Sequence, residues 1–561
     1  MTLFRRTLSS MWRACLAVLA LPVRAARSLP FVQDRSRLVW GARTLSAPIW
    51  RRTLRGLCVC LGLCTFAGLQ ILLAHFINEF TWWYIAALYV VAVTVVIVAA
   101  RPTAAFIIWL SVSPVAMLLL KLDWGRDMPA LTFDRVAIYS LAMFLVFRTM
   151  ANRVRPRRPL VAEWLLIAFP AYVFVRMWTQ PHRFLVRDIN VYLAIVVIST
   201  VLYFLSKASL MKPKHAVWVM KALVFVGLYS ALFGFYEHFT GKMWFSSIAG
   251  TDFLLKQGFW GDVGSGRSAG PFGNPTVYGT FLGLSTFLAF HLAAYTRRVD
   301  LKLFYYAGAV VMVIGWFWCY TRGGYIGVIM FLVLMPLFAR GIRKQYLVLF
   351  VIGAVLVVLA IPMLLTNREI YQRMTARDTA VGRIAIAATM INAWKHNLWF
   401  GVGLNQVDYA IEQYITNAGS VSGMWVRGGN YQWPQAGLRH IITSHNSFLS
   451  ILVEYGTVGA LIYYGALLAF ILRLLAIRKR GPAHDMLGQD FVSLILVFIL
   501  GHLISIAVYD VRYFTYMNYV FWILIAVVIR LDELAQEEEA PAKPALVPAV
   551  ARGVAARAQL A

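Results

Sequence analysis

Residues 445–480 read HNSFLSILVEYGTVGALIYYGALLAFILRLLAIRKR. Between Asn446 and Arg473 the only charged side chain is Glu454. A helix of that length spans a hydrocarbon layer of about 30 Å. The run closes on Arg473, Arg478, Lys479 and Arg480, a basic cluster of the kind that marks a cytoplasmic helix end. The stretch therefore fixes its own direction: His445 opens it on the far side of the membrane, and the arginines close it inside.

Working outward, the same pattern recurs. Apolar runs of helical length fall at 57–77, 82–100, 103–121, 134–150, 160–178, 188–206, 216–239, 275–296, 301–320, 323–340, 346–365, 445–472, 488–509 and 514–531. The expected fold is an all-α polytopic membrane protein with about 14 transmembrane helices. Composition agrees. Of 561 residues, 60% are hydrophobic and 14% charged, against about 25% charged in a soluble domain. Nineteen Trp, 26 Tyr and 36 Phe exclude a disordered chain.

The formal charge is +29, from 53 Lys and Arg against 24 Asp and Glu. No basic module stands apart from the apolar runs, so nucleic acid is not an expected partner. The excess instead sorts into short loops. Arg101, Arg148 to Arg158, Lys207 to Lys214, Arg297 to Lys302, Arg340 to Lys344 and Arg473 to Arg480 fall on alternate connections. That places both termini in the cytoplasm.

Residues 1–56 hold 11 Arg and one acid, Asp34. Cys15 to Pro22 is too short to span, so this segment reads as a basic arm lying on anionic lipid rather than a signal peptide. At the other end, the tail at 532–561, with Glu537 to Glu539 followed by an Ala/Pro-rich stretch, reads as disordered. Cys58, Cys60 and Cys64 share one apolar run in which no set of four ligands is completed, so neither a metal site nor a disulfide framework is expected. The organisation is a cytoplasmic arm at 1–56, N-terminal helices at 57–269, a core at 270–475, C-terminal helices at 476–531 and a tail at 532–561.

Two loops on the non-cytosolic face break the run of short connections, at about 240–274 and 366–444. Loops this long in a compact fold usually carry function. Within the second, Ile384, Ala387, Met390, Ile391, Trp394, Leu398 and Trp399 recur at helical spacing from Arg383, with Asn392, Lys395 and Asn397 opposite. The spacing predicts an amphipathic interfacial helix ended by Gly401 and Gly403.

Three places on this face can carry chemistry. Arg322 lies in Tyr320-Thr321-Arg322-Gly323-Gly324-Tyr325, at the outer boundary between two spans; an arginine there is also an ordinary interfacial anchor. Arg383 follows Val381-Gly382 at the expected start of the loop helix, where backbone N–H groups favour an anion; a solvated helix-start arginine is the plain alternative. His445 lies in Thr443-Ser444-His445-Asn446-Ser447, with Ser444 the expected N-cap. A partly desolvated imidazole suits a general base, though a histidine at a helix edge is also commonplace. Glu454 and Glu237 are intramembrane acids expected to pair structurally.

In this order the segments Gly270-Pro271-Phe272-Gly273-Asn274-Pro275, Thr321-Arg322-Gly323-Gly324, Val381-Gly382-Arg383 with Gly401-Val402-Gly403, and His445 to Leu449 through Glu454 to Gly459 resemble the O-antigen ligase and Wzy-type polysaccharide polymerase superfamily. The resemblance covers about 270–475. It implies a GT-C-like fold with a large periplasmic loop, in the bacterial inner membrane. It implies transfer of a glycan from an undecaprenyl diphosphate carrier to an acceptor glycan or lipid hydroxyl, without metal or cofactor and with inversion. On its pattern, Arg322 and Arg383 hold the diphosphate and His445 is the base, with Asn446, Glu454 and Asn274 in support. A chain-length regulator or a flippase is the implied kind of protein partner. Polymerase and ligase share every motif quoted. The long basic arm and the stretch Arg427 to Trp433 depart from the pattern.

Overall fold

The computed structural model describes residues 101–119, 121–122, 131–151, 159–180, 185–243, 267–366, 378–407, 410, 413–414, 446–481, 485–507 and 515–539. The chain divides into two units, Met1–Glu79 and Phe80–Ala561. The first lies wholly outside the described residues, as do the expected helices at 57–77 and 82–100, residues 540–561 of the expected tail and the stretch Arg427 to Trp433; the start of that tail, 532–539, is helical rather than disordered, because Asp532 and Glu533 pair with Arg473 and Lys207 and carry the last helix on to Glu539. Everything below concerns the second unit.

That unit is helical: α1 (Pro102–Leu119), α2 (Phe133–Ala151), α3 (Val161–Thr179), α4 (Leu185–Val191), α5 (Ile198–Ser209), α6 (Pro213–Thr240), α7 (Pro275–Tyr295), α8 (Val299–Phe317), α9 (Arg322–Phe338), α10 (Arg343–Thr366), α11 (Asp378–His396), α12 (Ser447–Arg480), α13 (Gln489–Ile506) and α14 (Thr515–Glu539). A π-helical stretch, Tyr192–Val197, joins α4 to α5. Among the described residues, extended pairing is confined to an antiparallel ladder of two residues per strand, β1 (Lys121–Leu122) on β2 (Leu131–Thr132). Seven helices among the described residues are long and apolar enough to cross a membrane.

The packing shows what surrounds the bundle. α7 is buried almost all round and forms its centre. The outer helices turn large apolar side chains outward, including Phe239 at 75% exposure and Leu461 at 69%. Apolar surface on this scale is stable only against hydrocarbon or another apolar partner.

Polar contacts fix the direction of the rods. At one end, Thr103 Oγ1 of α1 donates to Ser209 O of α5 at 2.7 Å, and Arg478 Nη2 of α12 donates to Phe338 O of α9 at 2.7 Å. Tyr295 of α7 donates to Asp490 of α13 at 2.8 Å, and Arg473 pairs with Asp532 of α14. This is the basic end. α9 and α12 both finish here, so both begin at the opposite end, which also holds the start of α7 and the finish of α3, α6 and α8.

One buried network holds the basic end together. Glu163 accepts from Tyr203 at 2.8 Å, from its own Leu160 N–H at 2.9 Å and from Lys207; Lys207 also pairs with Glu533. Removing one member of a buried, hydrogen-bonded pair leaves its partner uncompensated. Glu163→Ala is expected to cost about 3 kcal/mol, read as a lower melting temperature of the purified protein.

Candidate functional site

The end opposite the basic cluster is built from two hydrogen-bonded assemblies. The first surrounds Arg322. Here α8 finishes at Phe317 and α9 starts at Arg322, with Tyr320 in the left-handed region at φ 42°. That conformation is uncommon outside glycine. The turn is held by Tyr325 Oη donating to Phe317 O at 2.7 Å and by Trp316 Nε1 donating to Gly324 O at 3.1 Å. Arg322 is thus the first residue of a helix whose N-cap, Thr321, makes no side-chain cap. A helix start of this kind carries partial positive charge, and the Arg322 side chain is half-buried there.

The motif at 270–275 is stitched to this turn. Ser268 N donates to Trp318 O at 3.0 Å, and Ser268 Oγ donates to Gly234 O at 2.7 Å. Glu237 accepts from Ala269 N and Gly270 N, each at 2.8 Å. An ion pair is the expectation for Glu237; among the described residues its carboxylate satisfies two backbone donors of the incoming loop. Asn274 is the N-cap of α7, its Oδ1 accepting from Thr276 N and Val277 N.

The second assembly joins the other two motifs. α12 is broken at Gly456, where φ is 64° and ψ −171°, a conformation essentially reserved for glycine. The break releases backbone groups that must find partners inside the bundle. The segment leaving α11 supplies them. Val402 N donates to Val453 O at 2.8 Å and Gly403 N to Glu454 O at 2.9 Å; Thr457 N donates to Leu398 O at 2.8 Å and Val458 N to Trp399 O at 3.1 Å. Tyr172 of α3 completes the set, donating to Tyr455 O at 2.6 Å. The two chains cross at Gly401 and Gly456, with no room for a side chain on either: a Cβ on Gly456 would stand 2.3 Å from Trp399 O, and one on Gly401 2.5 Å from Glu454 O. So Gly401-Val402-Gly403 and Glu454 to Gly459 are the two sides of one contact.

The crossing fixes α11 against α12. Trp394 Nε1 donates to Thr457 Oγ1 at 3.3 Å. One turn and more upstream, Ile386, Met390 and Ala393 share a buried cluster with Leu449 and Val453. The helices therefore run in the same direction.

Three expectations change in detail. α11 begins at Asp378, so Arg383 lies in its second turn rather than at its first residue; Arg322 is at a helix start. The cap of α12 is Asn446, not Ser444: Asn446 Oδ1 accepts from Leu449 N at 3.1 Å. His445, immediately before that cap, lies outside the described residues. The packed face of α11 is Ile386, Met390 and Ala393, whereas Ile384 is 70% and Trp399 62% exposed. The stripe read from the sequence is thus divided: Met390 and Trp394 pack inward, while Ile384, Ile391, Leu398 and Trp399 are exposed. Glu454 is buried at 1% exposure beside the break. The oxygens of Asn274 and Asn446 that the resemblance offered as support are engaged in capping.

The sequence reading passed over Arg176 of α3. Its Nε donates to Phe400 O and its Nη2 to Gly401 O, both at 3.0 Å, and its Nη1 donates to Thr179 at 2.8 Å. A lone charge late in an apolar span was the available signal.

These features define a multi-pass helical membrane protein with a polar assembly at one end. Residues 307–464 match the family model described as O-antigen ligase. The stretch runs from α8 into the second half of α12 and takes in Arg322, α11 and the glycine crossing. This part of the chain is an O-antigen ligase domain of the O-antigen ligase and Wzy-type polymerase superfamily, which are membrane enzymes of the glycosyl-transfer type. The motif at 270–275 lies outside the matched residues. A search of curated proteins found no match.

Proposed function

We propose that the protein transfers a glycan from an undecaprenyl diphosphate carrier to an acceptor hydroxyl at the periplasmic face of the bacterial inner membrane, extending a surface polysaccharide. The observation that carries this reading is the hydrogen-bonded crossing, which supports bringing the helix of Arg383 alongside the helix that follows His445. Arg322 opens α9 at the same end of the bundle. A carrier with a lipid tail and a diphosphate head needs such an address: apolar surface for the tail, cations at the boundary for the head. The full reading is a GT-C-like fold with about 14 spans, both termini in the cytoplasm and the long loop in the periplasm.

In the proposed step an imidazole nitrogen of His445 takes the proton of the acceptor hydroxyl. The acceptor oxygen attacks the anomeric carbon, and the bond from that carbon to the diphosphate oxygen breaks. The electron pair leaves with the diphosphate. Arg322 and Arg383 meet the growing negative charge, which guanidiniums can do bidentately and without a metal. A single displacement inverts the anomeric centre.

The second reading is a ligase that attaches finished polymer to lipid A-core, favoured by the description of the matched family. A strain lacking the gene separates the two by glycan analysis. Single repeats attached to the final acceptor are expected for a polymerase; full-length polymer left on its carrier identifies a ligase. An unchanged glycan profile contradicts both. A transporter of lipid-linked oligosaccharide is the remaining class, and it would move glycan without making a bond.

A further inference from the structure

One stripe of α3 faces the crossing. Tyr172 and Arg176 are four residues apart on the same side of the helix, and Gln180 is the C-cap that follows four residues later. Tyr172 bridges the broken turn of α12. Gly403 packs against Gln180, where an added Cβ would stand 2.5 Å from its Oε1. Arg176 lies between them, and its guanidinium takes the carbonyls of Phe400 and Gly401 while also stacking 6.0 Å from the Phe400 ring. Those carbonyls belong to the turn by which the chain leaves α11 and enters the crossing.

We propose that Arg176 is a positioning residue for glycan transfer, a clamp on the turn at Phe400 and Gly401 that sets the angle of α11 against α12. This inference rests on the transferase reading above. The physical ground is leverage. Arg383 lies 13 residues before His396, where α11 ends, about 20 Å along the helix. A small rotation at the crossing therefore becomes a displacement of ångström size at Arg383. Misplacement of about 1 Å can cost about a hundredfold in rate. A guanidinium reaches both carbonyls at once from a planar fork, which an ammonium cannot do. The clamp touches neither the carrier nor the acceptor, so its removal acts on turnover more than on binding.

The test uses full-length protein in lipid nanodiscs, with lipid-linked glycans extracted from a strain lacking the gene as the donor. For Arg176→Ala, turnover is expected to fall at least tenfold, with the half-saturating donor concentration within about threefold of the parent. Amide exchange should rise at 398–403 and 453–458 and stay unchanged in α7 and α13. Arg176→Lys should recover part of the turnover. Parental turnover in Arg176→Ala overturns the proposal. So does a loss explained wholly by less folded protein, a change confined to half-saturation, or lost turnover with no change in exchange at the crossing. Arg322→Ala serves as the control. If it also turns over normally, the transferase reading itself fails; if it is inactive while Arg176→Ala is normal, only the clamp is wrong.

Discussion

His445→Ala is expected to reduce glycan product by about a thousandfold while the protein still inserts and still binds its carrier. A sugar hydroxyl is a poor nucleophile at neutral pH, and a positioned base contributes about 10²- to 10⁴-fold. Arg322→Ala and Arg383→Ala are expected to lose about 10²- to 10³-fold each, the usual effect of removing a group aimed at charge that develops in the transition state. Their signature should differ from that of the histidine. The arginines also meet the ground-state diphosphate, so half-saturation should rise with them and stay level with His445→Ala. Product measured per inserted protein checks all three. The double variant Arg322→Ala with His445→Ala should be little worse than His445→Ala alone, because groups that act as a unit are strongly non-additive.

Gly456→Ala is the second large effect. The residue combines φ 64° and ψ −171° with a carbonyl 2.3 Å from where its Cβ would stand. The backbone conformation alone costs an L residue about 1–3 kcal/mol. The clash adds to this, because Trp399 O is backbone and is held by Val458 N–H. A destabilisation of about 4 kcal/mol or more is expected, at the upper end of what single substitutions do. Gly401→Ala should behave alike, since its Cβ meets the backbone of Glu454 and Gly456 at 2.5 Å. The pair should be far from additive, because either change alone opens the same crossing. Thermal melting of the purified variants reads these effects. Parental stability in Gly456→Ala would show that the two chains do not cross there.

How much of this was legible in the sequence follows from what hydropathy can and cannot report. Each of the runs from 103–121 onward corresponds to a described helix, because a span needs about 20 apolar residues and little else does. Helix starts were harder. Asn446 displaced Ser444 as the cap of α12, since both residue types suit the position and only the geometry chooses. α11 was found, but its packed face only in part, through Met390 and Trp394. In a membrane both lipid-facing and protein-facing sides are apolar, so the exposed Ile384, Ile391 and Leu398 were read with them and the buried Ile386 and Ala393 were not. The crossing was not legible at all. Gly401 and Gly456 stood in separate motifs, and nothing local says that two glycines far apart in the chain meet through their backbones. Arg176 went unread for a related reason: its partners are carbonyl oxygens, which carry no sequence signal.

The most direct measurement of the central claim counts two products in one reaction. Purified protein in nanodiscs, given lipid-linked glycans extracted from the deletion strain and their native acceptor, should release free polyprenyl diphosphate and form new glycosidic bonds in equal amounts. His445→Ala should do neither while retaining the carrier. Glycan crossing the bilayer with no diphosphate released, or equal release by the parent and by all three of Arg322→Ala, Arg383→Ala and His445→Ala, would contradict the account.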